Sequence, residues 1–387
     1  MWTDVPEFAF YANYFNASQS RYRVDVLFRE TPATALAAAA GSGLPDIVAA
    51  RRLEGAAARA FLIPLDRYLE DGAGDAFYRR LLEAGRFDGE QILLPVSFNA
   101  PFAVFARAHS GRFADPLTVG LEELEEQGRL FNVAAAGRFT RMGFSPGWND
   151  RFLLTAASLL GTGFAEDGAA LAWDNDALQR TAGLLHRWNA ATNLSAADDF
   201  AFRFFTVPPE SMVLSGLVLA VQTDSAAFFT MDESRRGGLD FRWLASGDKI
   251  PLDDAVVSIG LTGRGRRQNP APAADAFVRW FFSAETQRGL LESSQKFRRA
   301  ETSFGIAGGF SALRPVTEQV FPLFHPDLLG RLPPEDFLTP APPLPADWTA
   351  LADRVVIPYL RERSRSPGDA APPLETRVAD WARLNRF

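Results

Sequence analysis

Along the chain, apolar positions recur at a spacing of two in some stretches and of three to four in others, and the two patterns alternate from end to end. Residues 22–28 alternate apolar with polar and predict a strand, as do 92–96 and 102–106. Thr31 followed by Pro32 predicts a helix start, residues 33–40 the helix, and Gly41, Ser42 and Gly43 its stop. A buried strand over 46–49 comes next. Further on, helices are expected over 121–127, 151–160 and 177–189, the last opened by Trp173, Asp174, Asn175 and Asp176 with acidic groups suited to its dipole. Strands return at 217–223, 241–244 and 255–261, and helices at 351–363 and 374–387. A strand, a helix and another strand within so short a span call for a right-handed crossover and a parallel sheet. In open sheets of that kind ligands sit at the strand ends.

Length divides this pattern in two. With 387 residues, 47% hydrophobic and 22% charged, the chain can bury a large core and is expected to form two domains. The formal charge of -7, without any block of Lys or Arg, offers no general attraction to nucleic acid or to an anionic membrane. There is no cysteine, which removes disulfides, thiolate metal sites and cysteine nucleophiles. No apolar run approaches the roughly 20 residues that span a bilayer. Met1, Trp2, Thr3 and Asp4 begin without a basic or apolar leader, so either the protein is cytoplasmic or an export signal has been removed ahead of them. The proline-rich stretches at 332–345 and 366–373 read as connectors, with Trp348 expected to pin the first.

Several segments together resemble a known family. The Gly41-to-Val48 stretch, with the alanine-rich helix before it and residues 61–69 after it, is similar to the N-terminal lobe of the extracellular solute-binding proteins of ABC transporters, in the sugar-binding, maltose-binding-protein-like group. Residues 2–8 resemble the family's first strand end and ligand loop, 87–96 its approach to the first crossing between lobes, 269–287 its returning helix, and 305–311 its last crossing. The resemblance implies an α/β, two-lobed periplasmic-binding-protein fold with a hinge of three crossings and a ligand cleft between the lobes. It places the first lobe at 1–107 and 257–305, and the second at 108–256 and 306–387. The implied protein is a monomer without cofactor or metal, periplasmic or anchored outside the membrane. It captures a sugar or oligosaccharide by hinge closure and hands it to a membrane permease. The proline-rich insertion near residue 340 and the long C-terminal tail depart from the family pattern.

A sugar presents apolar C–H faces and hydroxyl edges, so its site needs aromatic platforms and Asp, Asn, Arg or Glu side chains. Trp148 and Asn149 lie in a Pro/Gly loop before a helix and fit that need, or form an ordinary capping loop. Thr223, Asp224 and Ser225 leave the end of a strand, where they either face a ligand or cap the next helix. Asp4 and Glu7 follow the first strand, with helix capping as the competing role. Arg51 is preferred to Arg52 at the end of the 46–50 strand. Ser97 and Asn99 follow the 92–96 strand, where turn formation competes with binding, and Phe310 and Ser311 follow a pair of glycines.

An enzyme is the rival class. His109, His186 and His325 are isolated and lack metal-ligand spacing. There is no nucleophile elbow or phosphate loop, and Gly161-Thr162-Gly163 and Gly263-Arg264-Gly265 read as turns. Two carboxylates about 5 to 9 Å apart would suffice for glycoside hydrolysis, which keeps Asp4, Glu7 and Asp224 open to that role. A sensor without a transporter is a third reading.

Overall fold

The computed structural model of the protein describes residues 1–39, 43–168, 170–193, 195, 201–203, 207–252, 256–263, 269–297, 302–366 and 372–385. The expected helix stop at Gly41 and Ser42, the turn through Arg264 and Gly265, and residues 367–371 of the second connector lie outside these. The chain divides into two units. The first comprises Met1–Asn99, Ser225–Met231 and Leu252–Ala346, and the second Ala100–Asp224, Asp232–Pro251 and Asp347–Phe387.

The first unit is built on a six-stranded sheet whose strands run, side by side, Phe310–Ser311, Leu94–Phe98, Val257–Leu261, Ile47–Arg51, Trp2–Thr3 and Leu27–Phe28. Trp2–Thr3 pairs in parallel with both Leu27–Phe28 and Ile47–Arg51, as the expected crossovers require. The other pairings are antiparallel. The inner strands are apolar runs without alternation because both of their faces are covered. Helix Glu7–Ser18 buries Phe8, Tyr11, Ala12 and Phe15, one face at helical spacing. That face meets helix Pro272–Phe281 through Phe8 on Phe281 at 5.6 Å and Phe15 on Phe277 at 5.4 Å.

The strand expected over 22–28 shortens to Leu27–Phe28. Its first half has a different partner: Asn16 donates to the carbonyl of Val24 at 2.9 Å and accepts from its N–H at 2.8 Å. One side chain thus takes both backbone groups that a neighbouring strand would have used.

In the second unit the sheet order is Ala220–Asp224, Pro101–Ala106, Leu239–Leu244, Thr118–Val119. Phe102 stacks on Phe241 at 4.2 Å and meets Trp243 edge-on at 4.5 Å. Helix Asp150–Leu159 supplies Phe152 to a buried cluster with Phe144 and Trp188. Helix Asn175–Arg187 is capped by Asp174, whose carboxylate accepts from Ala177 N–H at 2.8 Å. The helix expected over 351–363 spans Trp348–Leu351, a widened π turn at Ala352–Val356, and Ile357–Arg365. Pro358 explains the widening, since it has no N–H to give the preceding turn.

Two expectations about organisation differ from what is observed. Residues 306–346 pack with the first unit, not with the second. The proline-rich stretch is not a free surface connector: Leu338 and Leu344 are buried, and Thr34 donates to the carbonyl of Ala346 at 3.4 Å. Trp348, in the second unit, packs on Phe164 at 5.4 Å.

Glycine is required where helix Leu121–Phe131 meets the chain at 143. A Cβ on Gly143 would lie 2.1 Å from the Cα of Gly128, and the Gly143 N–H donates to Asn132 Oδ1 at 2.7 Å. Both neighbours are backbone or anchored, so neither can give way. Gly143→Ala should therefore destabilise the protein by about 1 to 3 kcal/mol, the scale of overpacking. Urea unfolding checks this, and an unchanged midpoint rejects it.

Candidate functional site

The sequence candidates fall into two groups, one in each unit. In the first unit the chain reverses over 305–309 with positive φ at Gly305 (60°), Ala307 (49°) and Gly308 (76°). The left-handed conformation strains an alanine, and neighbouring side chains hold it there. Tyr11 Oη accepts from Ala307 N–H at 2.9 Å, and Ser97 Oγ donates to Ala307 O at 3.3 Å. Asn99 Nδ2 donates to Gly308 O at 2.8 Å, while its Oδ1 accepts from Ser225 Oγ at 2.7 Å. Ser97, Asn99 and Ser225 are thus joined in one network, and its work is to fix this turn.

Beside the turn stand Asp4, Glu7 and Arg51. A Cβ on Gly308 would lie 3.9 Å from Glu7 Oε1 and 4.0 Å from Arg51 Nη2. Asp4 Oδ1 accepts from Arg51 N–H at 3.3 Å, and its Oδ2 faces Arg51 Nη1 at 3.5 Å. Neither carboxylate caps helix Glu7–Ser18: its N-cap position is Pro6, with no side-chain cap. Glu7 accepts instead from Ser303 Oγ. Asp4 and Arg51 stand at the C-terminal ends of parallel strands, where such sheets present side chains to ligands. Burial pushes the Asp4 carboxyl above the ordinary aspartate range, against the opposing pull of Arg51. Its charged form lacks full solvation, so hydroxyl donors from a ligand would be well received.

Phe310 and Ser311 do not join this group. Phe310 is 1% exposed among Phe98, Phe304 and Phe321, and Ser311 is 0% exposed, donating to Gln287 Oε1 at 2.5 Å and accepting from Leu313 N–H at 3.0 Å. Both serve the interior of the unit.

In the second unit, Asn149 caps helix Asp150–Leu159 by accepting from Arg151 N–H at 2.9 Å. Its Nδ2 donates to both the carbonyl and Oε1 of Gln222 in strand Ala220–Asp224. Both ends of that amide are used, which brings the loop of Trp148 to the strand end named by Thr223 and Asp224. Thr223 is buried, and Asp224 is half-buried where the strand ends opposite Pro101. Trp148 is half-buried, stacked on Phe202 with centroids 6.2 Å apart and planes at 14°.

Trp148 also lines a cavity of about 460 Å³. Sequence reasoning missed most of its wall: Asn189, Arg203, Arg361, Ser364 and Arg365. A signal was present, because positions 361, 364 and 365 share one face of a helix. The histidines take no part. His186 Nδ1 lies 3.3 Å from Ser364 O, His325 packs among Phe229 and Phe304, and burial with Arg112 and Arg141 pushes His109 down. Among the described residues no group of three or more metal-ligating side chains occurs.

No family model and no curated protein matches the sequence. Solved structures do. The chain is similar to a cyclic alpha-maltosyl-1,6-maltose binding protein from Arthrobacter globiformis at 15% identity and TM-score 0.65, over 98% of this chain and 95% of that one. It is also similar to an ABC substrate-binding protein from Listeria monocytogenes in complex with cycloalternan, at 15% identity and TM-score 0.63 over 100% and 98%. A third likeness is to the maltose/maltodextrin-binding domain MalE from Bdellovibrio bacteriovorus bound to maltotriose, at 14% identity and TM-score 0.59 over 99% and 97%. Over its whole length the chain therefore has the α/β fold of the two-lobed periplasmic binding proteins.

Proposed function

We propose that the protein is an extracytoplasmic receptor that captures a sugar or oligosaccharide by hinge closure and delivers it to the permease of an ABC importer. The observation that carries this reading is the full-length likeness to proteins whose names state that they bind maltose-type saccharides. Two features of the chain support it. Asp4, Glu7 and Arg51 are hydrogen-bonding groups of the kind that hydroxyl edges need, and Trp148 offers a half-buried aromatic face on a cavity wall. Asp224 remains a candidate partner at the adjoining strand end. The protein acts on this reading as a monomer, without cofactor and without catalysis. Among the described residues no helix is long and apolar enough to cross a membrane.

A thermal-shift panel of saccharides tests capture. A bound ligand at 100 times its dissociation constant should stabilise the protein by about 2.7 kcal/mol, and the sugar should be recovered intact; turnover would establish an enzyme instead. Small-angle scattering should show compaction with a tight ligand, and an unchanged radius of gyration would sink hinge closure. Trp148→Ala should weaken binding by about 1 to 3 kcal/mol if the ring stacks on the ligand, the range of a binding hot spot. A variant that unfolds instead would make Trp148 a core residue, whose loss costs about 3 to 5 kcal/mol.

A further inference from the structure

The cavity in the second unit carries a charge pattern at odds with the chain as a whole. The protein has a formal charge of -7, yet three arginines, Arg203, Arg361 and Arg365, line this one cavity against a single carboxylate, Asp150. Arg361 takes that carboxylate in an ion pair. Arg203 and Arg365 are exposed and have no ion-pair partner among the described residues. Arg361 and Arg365 stand four residues apart on helix Ile357–Arg365, where like charges repel and an anion between them would relieve the repulsion.

A second observation narrows the ligand further. Asn189, 4% exposed, lies in the widened helical turn Trp188–Thr192 and lines the same cavity. Its Nδ2 donates to the carbonyl of Ser364 at 3.3 Å, which fixes the orientation of the amide, since an oxygen there would face another oxygen. Among the described residues Asn189 Oδ1 is then a buried acceptor without a donor, and Trp148 Nε1 a buried donor without an acceptor. Groups of this kind are costly when left unpaired. The wall thus offers guanidinium forks for an anion and an aromatic face for a ring, beside an amide and an indole whose buried polar atoms lack partners among the described residues.

We infer that this cavity recognises a saccharide that carries a negatively charged group, a carboxylate or a phosphate ester, on a hydroxylated ring. The inference rests on the sugar-receptor reading and specifies the class of sugar.

The test titrates the full chain calorimetrically with three probes: trigalacturonate, glucose 6-phosphate and maltotriose. At least one anionic probe should bind about tenfold or more tighter than maltotriose, and added salt should weaken it. The better of the two identifies carboxylate or phosphate as the group read. The double variant Arg203→Gln, Arg365→Gln should weaken the anionic probe by about tenfold to a hundredfold, the scale of hydrogen bonds to a charged group. Its melting temperature should stay at the wild-type value, because both side chains are exposed. Binding of maltotriose alone, or anion binding that the double variant leaves unchanged, overturns the inference while the sugar-receptor reading stands. Binding of none of the three removes both.

Discussion

Backbone N–H and C=O groups that lose contact with water must find other partners, and in this protein amide side chains supply them at several places where regular structure runs out. Asn16 takes both groups of Val24. Gln91 donates to the carbonyls of Leu82 and Leu93. Asn132 joins Gly143 to Thr192, Asn193 donates to Phe144, and Asn149 joins a helix start to Gln222. Strands of only two residues, such as Leu27–Phe28 and Phe310–Ser311, can stand at the edges of a sheet because the chain leading into them is tied in this way. Asn99 is the fullest instance, since one amide holds the turn at Gly308 and the hydroxyl of Ser225 together.

This explains what the sequence disclosed and what it concealed. Helices with a clear apolar face were legible to within a few residues, as at Asp150–Leu159, because their burial follows from their own periodicity. Buried strands were legible for the same reason. The strand expected over 22–28 was not, because alternation describes where side chains point and is silent on which group satisfies the backbone. Residues 306–346 were assigned to the wrong unit because the resemblance put the last crossing at 305–311, whereas the chain stays with the first unit as far as Ala346 and buries Leu338 and Leu344 there.

Candidate binding residues divide along the same line. Asp4, Glu7 and Arg51 come together because strand exits are predictable positions in a parallel sheet. Phe310 and Ser311 looked equivalent in the sequence, but their surroundings, an aromatic cluster and Gln287, come from distant parts of the chain. Ser97, Asn99 and Asn149 lie where expected and spend their hydrogen bonds on the protein itself, setting the conformation on which other side chains are displayed.

The widened turn at Ala352–Val356 has a bearing on inheritance as well as on shape. A π turn holds one residue more than the α-helical turn it replaces, and each residue advances a helix by about 100°. The phase of everything after it, including Arg361, Ser364 and Arg365, is set by Pro358 and the residue that the proline forces into the turn. A lineage could therefore change the chemistry of the cavity wall without altering any residue in it, by gaining or losing a single position upstream. In an alignment of relatives such an event would read as an unremarkable gap in a helix, yet it would exchange the side chains that this helix turns toward the cavity.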